Sequence, residues 1–165
     1  MKVHFATDHA GFELKNTLLT FVRDELGLEV IDHGAYEFNG EDDYPAFIHA
    51  AAMAVSEGKS SEDKAIILGA SGQGEAMVAN RYKGVRAAVY YGAPRHMQID
   101  AGGTELDMVA SVRAHNDANV LSLGGRFISA DEAKDVVKIF LTTAFSGEER
   151  HQRRIAQIEE GTRSV

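Results

Sequence analysis

The sequence predicts a doubly wound α/β domain with a mainly parallel sheet of five strands. Three observations carry this. Short apolar runs alternate with amphipathic stretches from one end of the chain to the other. The run "KAIILGA" (64–70) is apolar throughout, as a central parallel strand covered on both faces must be. The 165 residues suffice for one domain with a sizeable core and are too few for two ordinary ones.

The elements follow in order. "KVHFAT" (2–7) is the first strand. "GFELKNTLLTFVRDEL" (11–26) sets Leu14, Leu18, Phe21 or Val22 and Leu26 on one helical face. "LEVIDHG" (28–34) is the second strand, and the polar "AYEFNGEDD" a loop. "YPAFIHAAAMAVSEG" forms a helix with Pro45 at its start. After the third strand (64–70), "QGEAMVANRY" opens another helix. "VRAAVYY" (85–91) and "NVLSLGG" (119–125) are strands four and five, and 130–145 and 148–160 are helices. No repeat, linker or low-complexity segment divides residues 1–165, so they are expected to form a single Rossmann-like three-layer sandwich with an extended C-terminal helix.

Composition narrows the function. A net charge of −8 disfavours nucleic acid as a partner. No apolar run reaches the roughly 18 residues of a membrane span. The N-terminus lacks the apolar core and cleavage site of a signal peptide, so a cytoplasmic setting is expected. Cysteine is absent, which removes disulfides, thiolate metal sites and any cysteine base or nucleophile.

Ligands of doubly wound folds bind at the carboxyl ends of the strands. That selects "GASGQGE" (69–75), where Gly69, Gly72 and Gly74 lie between a strand and a helix. Backbone N–H groups and the helix N-terminus there form an anion cradle. The pattern is neither G-x-G-x-x-G nor a P-loop. A tight turn with Glu75 as a dipole-favoured first-turn carboxylate explains it as well. In "DHAG" (8–11), Asp8 suits sugar hydroxyls and His9 an anion, while simple helix capping accounts for one of the two. "RAHNDANV" (113–120) reads as a polar loop that sets His115 and Asn116 before strand five. In "RHQRR" (150–154), Arg150 and Arg154 share a helical face and can grip a phosphate, or form a solvated face paired with glutamates. His151 reads as a surface residue, and Arg126 is a third arginine at the sheet's carboxyl edge.

Together these stretches resemble the ribose-5-phosphate isomerase B family, which includes the galactose-6-phosphate isomerase subunits. The resemblance runs in order through "DHAGFELK", "DYPAF", "GASGQGEAMVANR", "GVRAAV", "HNDANVLSLGGR" and "RHQRRIAQIE". It implies aldose–ketose isomerisation of a sugar phosphate, with no metal and no other cofactor. The implied assembly is a homodimer with shared active sites, with pairing into a tetramer left open. By the same resemblance Asp8 and His9 meet the substrate, and His115 assists ring opening with Asp8 as helper. Asn116 and the N–H groups of the loop containing Gly72 and Gly74 stabilise an enediolate. Arg126, Arg150 and Arg154, with His9, hold the phosphate, and Tyr44 lies nearby.

Two departures refine this. Many members carry a cysteine base where this chain has Gly69; "GASGQGE" resembles a branch in which the glutamate, here Glu75, is the base and the serine, here Ser71, assists. A carboxylate that takes the proton becomes neutral as negative charge develops on the substrate oxygens, so its place in an anion cradle is chemically coherent. The segment 92–108 is longer than the family's connection by roughly a dozen residues, the kind of extension that forms lids or contact surfaces. Its Arg95, His96 and Asp100 receive no role. The leading expectation is interconversion of ribose 5-phosphate and ribulose 5-phosphate. The alternatives are a six-carbon substrate (allose 6-phosphate or galactose 6-phosphate), a non-catalytic nucleotide- or flavin-binding domain, and a degenerate structural paralogue.

Overall fold

The structure, a computed structural model, describes residues 1–58, 60–94, 96, 98, 99, 103 and 105–160. Five strands form one sheet: β1 (Lys2–Thr7), β2 (Glu29–Asp32), β3 (Lys64–Gly69), β4 (Ala87–Tyr90) and, after a two-stranded hairpin of β5 (Gln98–Ile99) and β6 (Glu105–Leu106), β7 (Val120–Gly124). The order is β2-β1-β3-β7-β4, and every pairing is parallel, so the expected "mainly parallel" sheet is wholly so.

All six residues of β3 are buried, and they alternate between two cores. Ile66 and Leu68 join Phe5, Leu121 and Leu123 beneath α1 (Phe12–Thr20), α4 (Met108–Asn116) and α5 (Ala130–Thr142), which supply Leu18, Val109 and Phe140. Ala65 and Ile67 face α2 (Tyr44–Ser56) and α3 (Gln73–Ala79). That second core is built largely of alanines (Ala6, Ala51, Ala52, Ala65, Ala79), so its helices can lie close to the sheet. Each large side chain so buried contributes about 1.5–3 kcal/mol.

Two regions differ from expectation. Residues 108–116 form helix α4, not a polar loop; Asp107 caps it by accepting from the N–H groups of Val109 and Ala110, both at 2.8 Å. The hairpin β5–β6 occupies the extended connection, of which Arg95 and Asp100 lie outside the described residues.

The last helix, α6 (Glu149–Glu160), is docked at its two ends. Near its start, His151 is buried, which corrects its reading as a surface residue. Its Nδ1 is paired with the Ser146 hydroxyl at 2.8 Å. Near its end, Glu159 accepts from the Gly84 N–H at 3.1 Å and pairs with Arg86 at 3.2 Å.

Candidate active site

The carboxyl edge of the sheet gathers most of the predicted residues. Beyond β1, Asp8 is buried and caps a 3-10 turn, accepting from the Ala10 N–H at 3.0 Å. His9 follows on that turn and is tied to Asp42, a residue that sequence reasoning missed. Beyond β3, Gly72 adopts a left-handed φ of 74°, which a side chain would oppose. The buried hydroxyl of Ser122 on β7 donates to the Gly72 carbonyl at 2.6 Å and holds this turn in place. Two further bonds, from the N–H groups of Gly125 and Arg126 to the carbonyls of Gly69 and Ala70, lock the loops beyond β3 and β7 together.

This scaffold aims Glu75 back at the end of β3. Glu75 stands in the first turn of α3, is 4% exposed, and lays its carboxylate over Gly69. A β-carbon at position 69 would overlap that carboxylate. The space that a side chain on residue 69 would fill is therefore occupied by Glu75. Burial pushes the Glu75 carboxyl above its usual range, its own backbone N–H opposes the shift, and the nearby Asp8 charge adds to it. A carboxylate in such a setting is a stronger base than one in water. Tyr44, at the start of α2, closes the other side: its hydroxyl is 2.5 Å from where a Gly74 β-carbon would lie. Ser71 is half-buried at the mouth, its Oγ 3.4 Å from the Gln73 N–H. Arg126 is exposed, and its charge is felt at His9.

The remaining predicted residues lie at the opposite edge. His115 and Asn116 end α4, just before β7 begins. The β3–β7 register runs from Ala65 beside Val120 to Gly69 beside Gly124. Four residues at about 3.3 Å put the two edges at least roughly 13 Å apart. The His115 ring packs against buried His151 in a tilted contact, centroids 4.5 Å apart, which couples α4 to α6 and to Arg150 and Arg154. Arg150 is exposed and paired with Glu148 at 2.8 Å; Arg154 is exposed. Burial, followed by the neighbouring His115, holds the His151 imidazole below its ordinary range. One chain thus carries two groups of candidate residues: a buried carboxylate and a glycine cradle at one edge, a histidine and arginines at the other.

A buried carboxylate over a glycine cradle, at the carboxyl edge of a doubly wound sheet, defines a class: a small-molecule enzyme whose reacting atoms sit where strands end. Comparison with known proteins narrows the class. The family model described as Ribose/Galactose Isomerase matches residues 3–158, and the chain belongs to this family. Ribose-5-phosphate isomerase B of Mycobacterium tuberculosis is 37% identical over 164 residues, covering 99% of this chain and 91% of that protein. Its counterpart in Escherichia coli is 34% identical over 157 residues, covering 95% and 93%. The crystal structure of Mycoplasma genitalium ribose-5-phosphate isomerase B with bound ribulose 5-phosphate superposes with a TM-score of 0.83 at 33% identity, covering 96% of this chain and 94% of that one.

Proposed function

We propose that this chain interconverts ribose 5-phosphate and ribulose 5-phosphate through an enediolate, with Glu75 as the base. The observation that supports the assignment of the base is the Glu75 carboxylate packed against Gly69 at the end of β3. In the aldose-to-ketose direction Glu75 removes the proton from C2, which breaks the C–H bond and leaves the electron pair in the enediolate. The same proton is returned to C1, so one base serves both carbons, while the O2 hydroxyl proton passes to O1 to complete the exchange of carbonyl and hydroxyl. The N–H groups around Gly72 and Gly74 donate to the enediolate oxygens, and the Ser71 hydroxyl adds a further donor. A positioned base of this kind accelerates proton transfer by about 10²–10⁴-fold.

Ring opening and enediolate assistance are assigned to His115 and Asn116 of the far group, and phosphate binding to its Arg150 and Arg154 together with His9 and Arg126 from the near edge. Because the far group lies at the opposite edge from Glu75 within one chain, the reading includes a homodimer in which each site takes its base and cradle from one protomer and this second group from its partner. Two surface depressions of about 480 Å³ that flank β4 suit such an assembly. They expose Met77 and Ile158, and β4 is an edge of the sheet.

Glu75→Gln tests the base. The expected outcome is a loss of at least about 10²-fold in kcat with little change in KM. Near-normal turnover by that variant removes Glu75 from the chemistry. The substrate is tested by comparing kcat/KM for five- and six-carbon sugar phosphates, because the β5–β6 hairpin lengthens the connection from β4 to α4. A clear preference for a hexose phosphate replaces the ribose assignment.

A further inference from the structure

Asp42 lies in the loop before α2 and has no part in the chemistry above. One of its oxygens, Oδ1, accepts both the His9 backbone N–H at 2.9 Å and the His9 ring Nδ1 at 2.7 Å. The Asp42 side chain is 9% exposed, and its other oxygen, Oδ2, is buried without a hydrogen-bond partner among the described residues. A carboxylate so placed calls for a compensating cation, and the only ion pair recorded for it among the described residues is with His9. The ring of His9 remains 28% exposed.

The geometry dictates which form of the imidazole is useful. With Nδ1–H donated to Asp42, a neutral ring has only a lone pair at Nε2, which a phosphate oxygen repels. The imidazolium has an Nε2–H instead and can donate to the phosphate. We propose that Asp42 is the positioning residue that keeps His9 doubly protonated and orients its ring so that Nε2–H serves the substrate phosphate. This rests on the sugar-phosphate reading given above. The charged groups around His9 agree: Asp42 from the loop before α2 and Asp8 from the same turn favour the protonated ring, and Arg126 beyond β7 opposes it. The hydrogen bond to Asp42 is the largest influence, and the net result holds the His9 imidazole above its ordinary range.

The experiment uses the full chain as wild type, Asp42→Asn, His9→Gln and the double variant. Asparagine keeps the size and the acceptor oxygen while removing the charge. The His9 titration is followed by ¹⁵N NMR of the imidazoles, with His9→Gln identifying the resonance, and KM is measured from pH 6 to 8.5 with ribose 5-phosphate. The expected results are a lower His9 midpoint in Asp42→Asn and a KM about ten-fold higher at pH 8, narrowing toward pH 6. In the His9→Gln background, Asp42→Asn adds nothing to KM. An unmoved His9 midpoint overturns the proposal, as does an equal KM penalty with His9 absent. A wild type inactive on every sugar phosphate, with the midpoint still shifted by Asp42→Asn, overturns the isomerase reading and leaves the His9–Asp42 pairing standing.

Discussion

Gly69 shows how one missing side chain sets the chemistry of the loop. Its backbone is not left-handed, so alanine is conformationally acceptable there, but its β-carbon would displace the Glu75 carboxylate. That carboxylate is the far end of a flexible side chain, and it moves at modest cost. Gly69→Ala is therefore expected to fold with a Tm close to wild type while kcat falls by at least about 10²-fold. Retention of full activity would mean that Glu75 works from another position. The same overlap means that a side chain on residue 69 and the Glu75 carboxylate cannot share this volume. The glycines, Ser71 and Glu75 were legible in the sequence because a strand, a turn and a helix start are local patterns. Asp42 was not, because 33 residues separate it from His9 and only the fold closes that gap. The signal available was the acidic run just before "YPAF", which sequence reasoning took for ordinary loop polarity.

At the scale of elements, α4 and α6 are joined through Arg86. Its guanidinium donates to the carbonyls of Asn116 at 2.9 Å and Asp117 at 2.8 Å, and pairs with Asp117 at 3.1 Å and Glu159 at 3.2 Å. A cation on the terminal carbonyls of α4 also opposes the negative end of the helix dipole. The side chain is 17% exposed, so the pairs are screened less than surface ones. Arg86→Ala is expected to cost about 2–3 kcal/mol, a fall in Tm of roughly 5–10 °C. Because the clamp sets His115 and Asn116 relative to the arginines of α6, KM should rise by more than kcat falls. Unchanged Tm and KM would show that the two helices hold their places without it. Helix α4 went unread in the sequence because its run is short and weakly amphipathic, "MVASVRAHN". Its capping signal, Asp107 directly before the run, was present but belonged to a stretch read as an extended connection.

At the scale of the whole molecule, the proposed dimer predicts complementation. Glu75→Gln damages one edge of the chain and His115→Asn the other, so each homodimer has two impaired sites. A mixed dimer has one site with both lesions and one with neither. Unfolding and refolding the two variants together should restore about a quarter of wild-type activity, because half of the dimers are mixed and each has one intact site. Activity no higher than the sum of the separate variants would place Glu75 and His115 in one chain's own site. Much of this molecule was determined by its sequence alone: the alternation of strands and helices, the buried central strand, the glycine loop with its carboxylate, and the motifs shared with the family. Those features are local, and hydrophobic period and turn chemistry express them directly. The tertiary structure decided what depends on distant residues meeting: the insertion of β7 between β3 and β4, the pairing of His9 with Asp42, the burial of His151, and the separation of the candidate residues onto two edges. Chain order puts Glu75 after β3 and His115 before β7, and it is the parallel register of the two strands that turns this order into opposite sides of the sheet.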